Sequence, residues 1–142
     1  YRTYVIMGDG EQGEGSLWEA AAFAAHKKLD NLVAILDENS LQINGRTCDV
    51  CKPTDFEGRY ASFGWAVRSV DGNDVGALYD ALAAVPFEAG RPSLIVAKTT
   101  KSKGVSFLED QAKYHHWNPS KEDADRALAE LDAVAAERGW QA

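Results

Sequence analysis

The stretch Tyr4-Val5-Ile6-Met7-Gly8-Asp9-Gly10-Glu11-Gln12-Gly13 decides how the rest of the chain is read. A short β-forming run ends in glycines, and these lead into Ser16-Leu17-Trp18-Glu19, a capping-box pattern opening an Ala-rich helix predicted to reach Leu29. A glycine loop between a strand and a helix is the context in which G-x-G-x-x-G marks a diphosphate cradle. Glycine lets the backbone close on phosphate oxygens, and the helix N-terminus adds N–H donors and about half a positive charge. The plain alternative is a tight turn that needs glycine for backbone reasons alone.

Outward from this loop, Val- and Ile-rich runs recur at Leu32–Leu36, Ala66–Val70 and Leu94–Ala97. The segments between them read as helices, one over Thr54 to Phe63 stopped by Gly64, another capped by Asp74 and running through Val85 to Pro86. This alternation predicts an α/β fold with a mostly parallel sheet and helices on both faces, since parallel strands need crossover connections. Ligands of such sheets sit beyond the carboxyl ends of the strands, which here are left by 8–15, 37–45, 71–74 and 98–117. Ser120-Lys121-Glu122-Asp123 opens a last helix in which Ala124, Leu128, Leu131 and Ala135 form one apolar face. We divide the chain into a diphosphate- and metal-binding domain over 1–118 and a C-terminal helix over 119–142 that docks on the domain or on a partner subunit.

The 142 residues are 45% hydrophobic and 26% charged, which suits one globular unit. A net charge of −7 with no basic run argues against nucleic acid or an anionic membrane as partner. The apolar runs fall far short of the ~20 residues of a membrane span, so a cytoplasmic location is expected. The opening at Tyr1, almost directly on a strand, suggests a longer natural product.

Asp9 is the unusual residue of the first loop, because it sets a carboxylate beside the expected diphosphate. Two like charges at ~4 Å cost about 4 kcal/mol at an effective dielectric of 20. A divalent cation reverses that sign and makes both groups its ligands. Asn39 follows Asp9 by 30 residues, one βαβ crossover, so both leave the same edge of adjacent strands. Its amide oxygen is a hard ligand without charge, and a turn after it aims a main-chain carbonyl, that of Leu41, at the same ion. A cap-type Asn is the bland alternative.

With Glu14-Gly15, Trp18-Glu19-Ala20, Leu29-Asp30-Asn31-Leu32, Asn39 to Gly45, Thr99 to Phe107 and Tyr114-His115, the Gly8-Asp9-Gly10-Glu11 run closely resembles the thiamine-diphosphate motif of transketolases, especially the amino-terminal subunit of split transketolases. The resemblance covers most of the chain to about residue 118 and implies the thiamine-diphosphate-binding fold, incomplete at its N-terminus. It implies a metal site of Asp9, Asn39 and the Leu41 carbonyl for Mg²⁺, or Ca²⁺ or Mn²⁺. It further implies cofactor contacts along Gly8, Gly10 and Glu11, with Ile43 packed near the cofactor. Glu14 matches a glutamate of a carboxylate network between paired active sites; its other reading is an acid favoured at a helix N-terminus.

The implied activity is transfer of a two-carbon ketol unit from a ketose or ketose-phosphate donor to an aldose acceptor. The glutamate that activates the cofactor comes from another domain, so the resemblance implies a partner subunit carrying the pyrimidine-binding and C-terminal domains in a two-fold hetero-oligomer. Three alternatives stay open: a deoxyxylulose-phosphate synthase, a 2-oxoacid dehydrogenase component, and a non-catalytic assembly subunit. Asp9 disfavours a nicotinamide site.

His115 suits proton transfer or a sugar oxygen, and the resemblance assigns it that role, although His116 stands where the family usually has glycine. His26 reads as structural, and Lys101 and Lys103 are weak phosphate candidates. Cys48 and Cys51 have C-x-x-C spacing but lack a second pair or a neighbouring His for zinc, so they read as reduced thiols.

Overall fold

The computed structural model describes residues 1–51 and 55–140. Four strands form the main sheet: β1 (Thr3–Gly8), β2 (Leu32–Glu38), β5 (Ala66–Asp71) and β6 (Ser93–Lys98), in the order β1-β2-β6-β5 and all parallel. Two short strands, β3 (Leu41–Gln42) and β4 (Gly45–Arg46), pair antiparallel as a hairpin beyond the end of β2. All four predicted strands are present, each a residue or two longer than its apolar run.

Period-two alternation in the central strands fills two cores. Ala34 and Leu36 of β2 and Leu94 and Val96 of β6 face α1 (Gly15–His26) and α3 (Phe56–Phe63), where Ala21, Ala24, Phe56, Tyr60 and Trp65 complete the packing. Val33 and Ile95 point the other way, onto Ala81 of α4 (Val75–Ala83) and onto Val85. Each buried Val, Leu or Ile side chain among these is worth about 1.5–3 kcal/mol. Helices thus cover both faces, as expected. At the edge, β1 is less covered: Tyr4 is 50% and Ile6 74% exposed on the α4 side.

Several boundaries differ from the sequence reading. Ser16 does not cap α1, because a 3-10 turn over Gly10–Gly13 runs straight into the helix and leaves Glu14 as its N-cap, without a side-chain cap bond. The helix stops at His26 rather than Leu29, since Lys28 turns to φ 52° and the Lys28 and Leu29 amides bond back to Ala25 and Ala24. His26, read as structural, is exposed on the last turn of α1. α3 is capped by Asp55, whose carboxylate accepts from the Gly58 amide, and ends at Gly64 with φ 100°; Thr54, its predicted start, lies outside the described residues. Asp74 caps α4 as expected, but Pro86 keeps Val85 out of helical geometry and the helix ends at Ala83.

The last helix, α5 (Lys121–Glu137), starts where predicted, and the side chains of Ser120 and Asp123 close a capping box. It meets the domain through Glu130, which accepts from the Ser106 amide at 2.5 Å, and through Arg126, stacked 4.2 Å over the Phe107 ring. Leu128 and Leu131 of the predicted apolar face stay 58% and 44% exposed.

Candidate functional site

Parallel register delivers the site. Gly8 pairs with Asp37, and Asp37 with Ala97, so the loops after β1, β2 and β6 leave one end of the sheet side by side. The first loop is held from beneath by Gln12. This residue is 3% exposed; its side chain accepts from the Tyr60 hydroxyl at 3.0 Å and donates to the Gly8 carbonyl at 3.3 Å, while its main-chain carbonyl accepts from the Trp18 indole at 3.0 Å. Desolvation pushes the Tyr60 hydroxyl up to about 12, so it is a neutral donor throughout the working range. Above this platform the Glu11 carboxylate folds back on the Gly8 amide at 2.5 Å.

Asp9 turns inward and is only 3% exposed. Its Oδ2 accepts from the Ser40 amide at 2.6 Å, and its own amide donates to the Asp37 carbonyl at 3.1 Å. Burial raises the Asp9 carboxyl above its ordinary range, a shift opposed by the Ser40 amide and the nearby Thr47 hydroxyl and reinforced by the Asp37 charge. Asn39 stands at the same sheet end. Its Nδ2 donates to Asp37 Oδ2 at 3.1 Å and its Oδ1 accepts from the Leu41 amide at 2.9 Å. The other Asp37 oxygen accepts from the Thr99 hydroxyl at the end of β6. Asp37 is therefore the hub that fixes Asp9, Asn39 and the third loop together.

A small cavity is lined by Asp9, Gly10, Gln42, Thr47 and Cys51, among others. The Gln42 Oε1 atom is buried and without a hydrogen-bond partner, and the buried Thr47 hydroxyl lies beside the Asp9 carboxylate. A Cβ on Gly10 would meet Gln42 Cβ at 3.0 Å, so any larger residue here would push the Gln42 side chain aside by a few tenths of an ångström. Buried oxygens with spare acceptor capacity thus surround the desolvated Asp9 carboxylate.

The transketolase thiamine diphosphate-binding domain model matches residues 1–137. This chain belongs to the transketolase family. The transketolase-family chain is 44% identical over 131 residues to an apulose-4-phosphate transketolase subunit of Phocaeicola vulgatus, covering 92% of this chain and 47% of that protein. It is 38% identical over 133 residues to the 6-deoxy-6-sulfo-D-fructose transketolase subunit SqwG of a Clostridium species, covering 94% of this chain and 48% of the other. Among solved structures, transketolase from Campylobacter jejuni superposes with a TM-score of 0.85 at 31% identity, over 93% of this chain and 21% of that one. The chain thus spans about half the length of these subunit relatives.

Set against the transketolase expectation, the structure brings Asp9, Asn39 and Leu41 to one edge, with Gly8, Gly10 and Glu11 beside them. Among the described residues no group of three or more His, Cys, Asp and Glu side chains gathers to hold a metal. A cation here has to rely on one carboxylate with amide and carbonyl oxygens, and that hard-oxygen set suits Mg²⁺. Of the predicted cofactor and metal residues, Asp9 and Gly10 line the cavity, whereas Gly8, Glu11, Asn39 and Leu41 lie outside it; Ile43, at the tip of the β3–β4 hairpin, is 60% exposed, and Glu14 is exposed at the start of α1.

His115 lies in the third loop, half-buried, with a buried Nδ1 that lacks a hydrogen-bond partner. Desolvation, then the Lys101 and His116 charges, lower its pKa and favour neutral imidazole. His116 packs edge-on against it at 4.9 Å between ring centroids. The loop is clamped to the hairpin by a bidentate Arg46–Asp110 pair, at 2.7 and 2.5 Å. Lys103 is paired with Glu109 at 3.5 Å rather than free for a phosphate. Sequence reasoning missed Asp37, Gln42 and Thr47 as site residues. The signal for Asp37 was its place at the end of the central strand, since a carboxylate there must find donors at the ligand edge.

Proposed function

We propose that this chain is the diphosphate-binding part of a transketolase-like enzyme that moves a two-carbon ketol unit from a ketose or ketose-phosphate donor to an aldose acceptor. It would use thiamine diphosphate and Mg²⁺, with Ca²⁺ or Mn²⁺ as substitutes, and work with a subunit carrying the pyrimidine-binding and C-terminal domains in a two-fold hetero-oligomer. The observation that carries this reading is the buried Asp9 carboxylate locked to the Ser40 amide beside Asn39, at the sheet edge where the glycine turn leaves β1.

Bound thiamine diphosphate supplies an electron sink for cleaving and forming the bond next to a ketose carbonyl. The chain's own residues anchor and orient it. Asp9, Asn39 and the Leu41 carbonyl would hold the cation. The backbone along Gly8–Gly10 would approach the diphosphate, and the amides at the start of α1 would add a favourable field. Ile43 would offer the cofactor an apolar contact from the hairpin. His115, neutral and with an unpartnered Nδ1, is suited to accept a proton from a substrate hydroxyl or to return one. Glu14 would act between paired sites across a subunit interface. A cytoplasmic location agrees with the sugar substrates.

The test is a donor screen on the full-length subunit mixed with its partner, thiamine diphosphate and Mg²⁺. Transfer from ketose phosphates to aldose acceptors, with no turnover of pyruvate, is the expected result. Turnover of pyruvate instead would move the assignment to a deoxyxylulose-phosphate synthase or a 2-oxoacid dehydrogenase component. Cofactor binding without turnover of any donor would favour a non-catalytic assembly role.

A further inference from the structure

The C-x-x-C pair takes no part in the cofactor reading, yet Cys51 borders the small cavity beside Asp9. Cys48 lies in the one-turn helix α2 (Thr47–Val50), and the Cys51 amide closes that turn by donating to the Thr47 carbonyl at 3.0 Å. In such a turn the Cα atoms of residues three apart lie about 5 Å from each other, within the ~4.4–6.8 Å that a disulfide spans. Both thiols are free and exposed. Cys51 leaves the helix with φ −147° and ψ 99°, so its side chain is not confined by a following helical turn.

The same turn touches the site at two points. Cys51 lines the cavity together with Asp9, Gly10 and Gln42. Thr47, next to Cys48, lies beside the Asp9 carboxylate and donates its amide to the Ser40 carbonyl at 3.0 Å, and Ser40 is the residue whose own amide holds Asp9. A change in the 47–51 turn therefore reaches both the wall of the cavity and the support of its carboxylate.

We propose that Cys48 and Cys51 are a reversible dithiol–disulfide couple, oxidised by a peroxide, whose disulfide weakens ligand binding in the Asp9 cavity. One thiolate attacks a peroxide oxygen, the O–O bond breaks, and a sulfenic acid and one water result. The second thiolate attacks that sulfur, the S–S bond forms and a second water leaves. Two electrons and two protons pass from the dithiol to hydrogen peroxide. An external dithiol reverses the step by exchange. The disulfide chemistry stands on the turn alone, whereas its effect on binding rests on the thiamine-diphosphate reading.

The experiment treats the full-length chain, in complex with its partner subunit, with hydrogen peroxide and then with dithiothreitol. Intact mass, thiol alkylation and peptide mapping follow the cysteines, and calorimetry follows thiamine diphosphate with Mg²⁺. Expected are loss of two hydrogens per chain, a peptide linking Cys48 to Cys51, and affinity about tenfold or more weaker, in the range typical of lost support around a metal site, all restored by the dithiol. Cys48→Ser should bind like the reduced wild type and keep its affinity through peroxide. A sulfinic acid, a bond between different chains or two persistent thiols would overturn the couple, and a disulfide with unchanged affinity would overturn the link. A reduced chain that forms the disulfide but never binds thiamine diphosphate would instead refute the cofactor reading, with the couple upheld by mass alone.

Discussion

Ser40 donates its backbone amide to Asp9 Oδ2 at 2.6 Å across 31 residues of sequence. Ser40 itself sits at φ 62°, a left-handed turn conformation that non-glycine residues rarely adopt. The loops after β1 and β2 are thus joined by the proposed metal ligand itself, and the carboxylate is oriented before any ligand arrives.

Asp9→Asn keeps the shape of the side chain and removes its charge. Metal-dependent thiamine-diphosphate binding should fall by more than the ~10–100-fold carried by residues that merely support a metal site. The apo melting temperature should hold or rise, because burial disfavours the ionised carboxyl. Calorimetry and thermal melts on the same samples separate the two effects.

The pH dependence has a defined sign. The folded-state pKa of Asp9 lies above its ordinary value of 3.8, so between that value and the raised one the folded chain binds more protons than the unfolded chain. The Asp9 contribution to apo stability therefore declines as pH rises through this window, and is already lost at neutral pH. Cation binding needs the ionised form and runs the other way, weakening as pH falls through the raised pKa. In urea melts across acid pH, with and without Mg²⁺, the difference between the wild-type slope and that of Asp9→Asn should carry this sign, since the other shifted carboxyls are common to both.

Asp37 is predicted to matter without touching the ligand. Asp37→Ala frees the Asn39 amide and the Thr99 hydroxyl together, and Mg²⁺ affinity should drop about 10–100-fold. Thr99→Val, which removes a single partner, should cost less. Magnesium titration followed by intrinsic fluorescence would rank the two, and an equal loss would contradict the hub role.

Beneath the glycine turn, Tyr60→Phe leaves the buried Gln12 Oε1 without its donor. The expected destabilisation is about 1–3 kcal/mol by denaturant unfolding. Spectrophotometric titration of the wild type should show one tyrosine ionising near 12, and that component should vanish in the variant.

Arg46 and Asp110 form a clamp on the surface, so their contribution is to order rather than to global stability. Arg46→Ala should leave the melting temperature unchanged and speed amide exchange in the β3–β4 hairpin and residues 99–117. Exchange rates equal to wild type would remove the clamp from the account.

Much of this was legible in the sequence because it rests on local periodicity. The apolar runs of β1, β2, β5 and β6 announce parallel strands, of which the central β2 and β6 are the buried ones, and Asp9 among glycines raises a charge problem with few solutions. The start and end of α1 were not legible, since the 3-10 turn displaced Ser16 from the cap and left-handed Lys28 stopped the helix early. Nor could sequence show the Asp37 hub or the Arg46–Asp110 clamp. Those pairings join residues from separate strands and loops, and only the register of the sheet brings their polar atoms within bonding distance.

The central claim is that Asp9 and Asn39 hold thiamine diphosphate through a divalent cation. Its most direct test is calorimetric titration of thiamine diphosphate into the full-length chain in complex with its partner, with Mg²⁺ and with chelator, beside Asn39→Ala. Binding that needs Mg²⁺ and is lost in Asn39→Ala is the predicted result. Binding of equal strength in chelator, or in the variant, would contradict it.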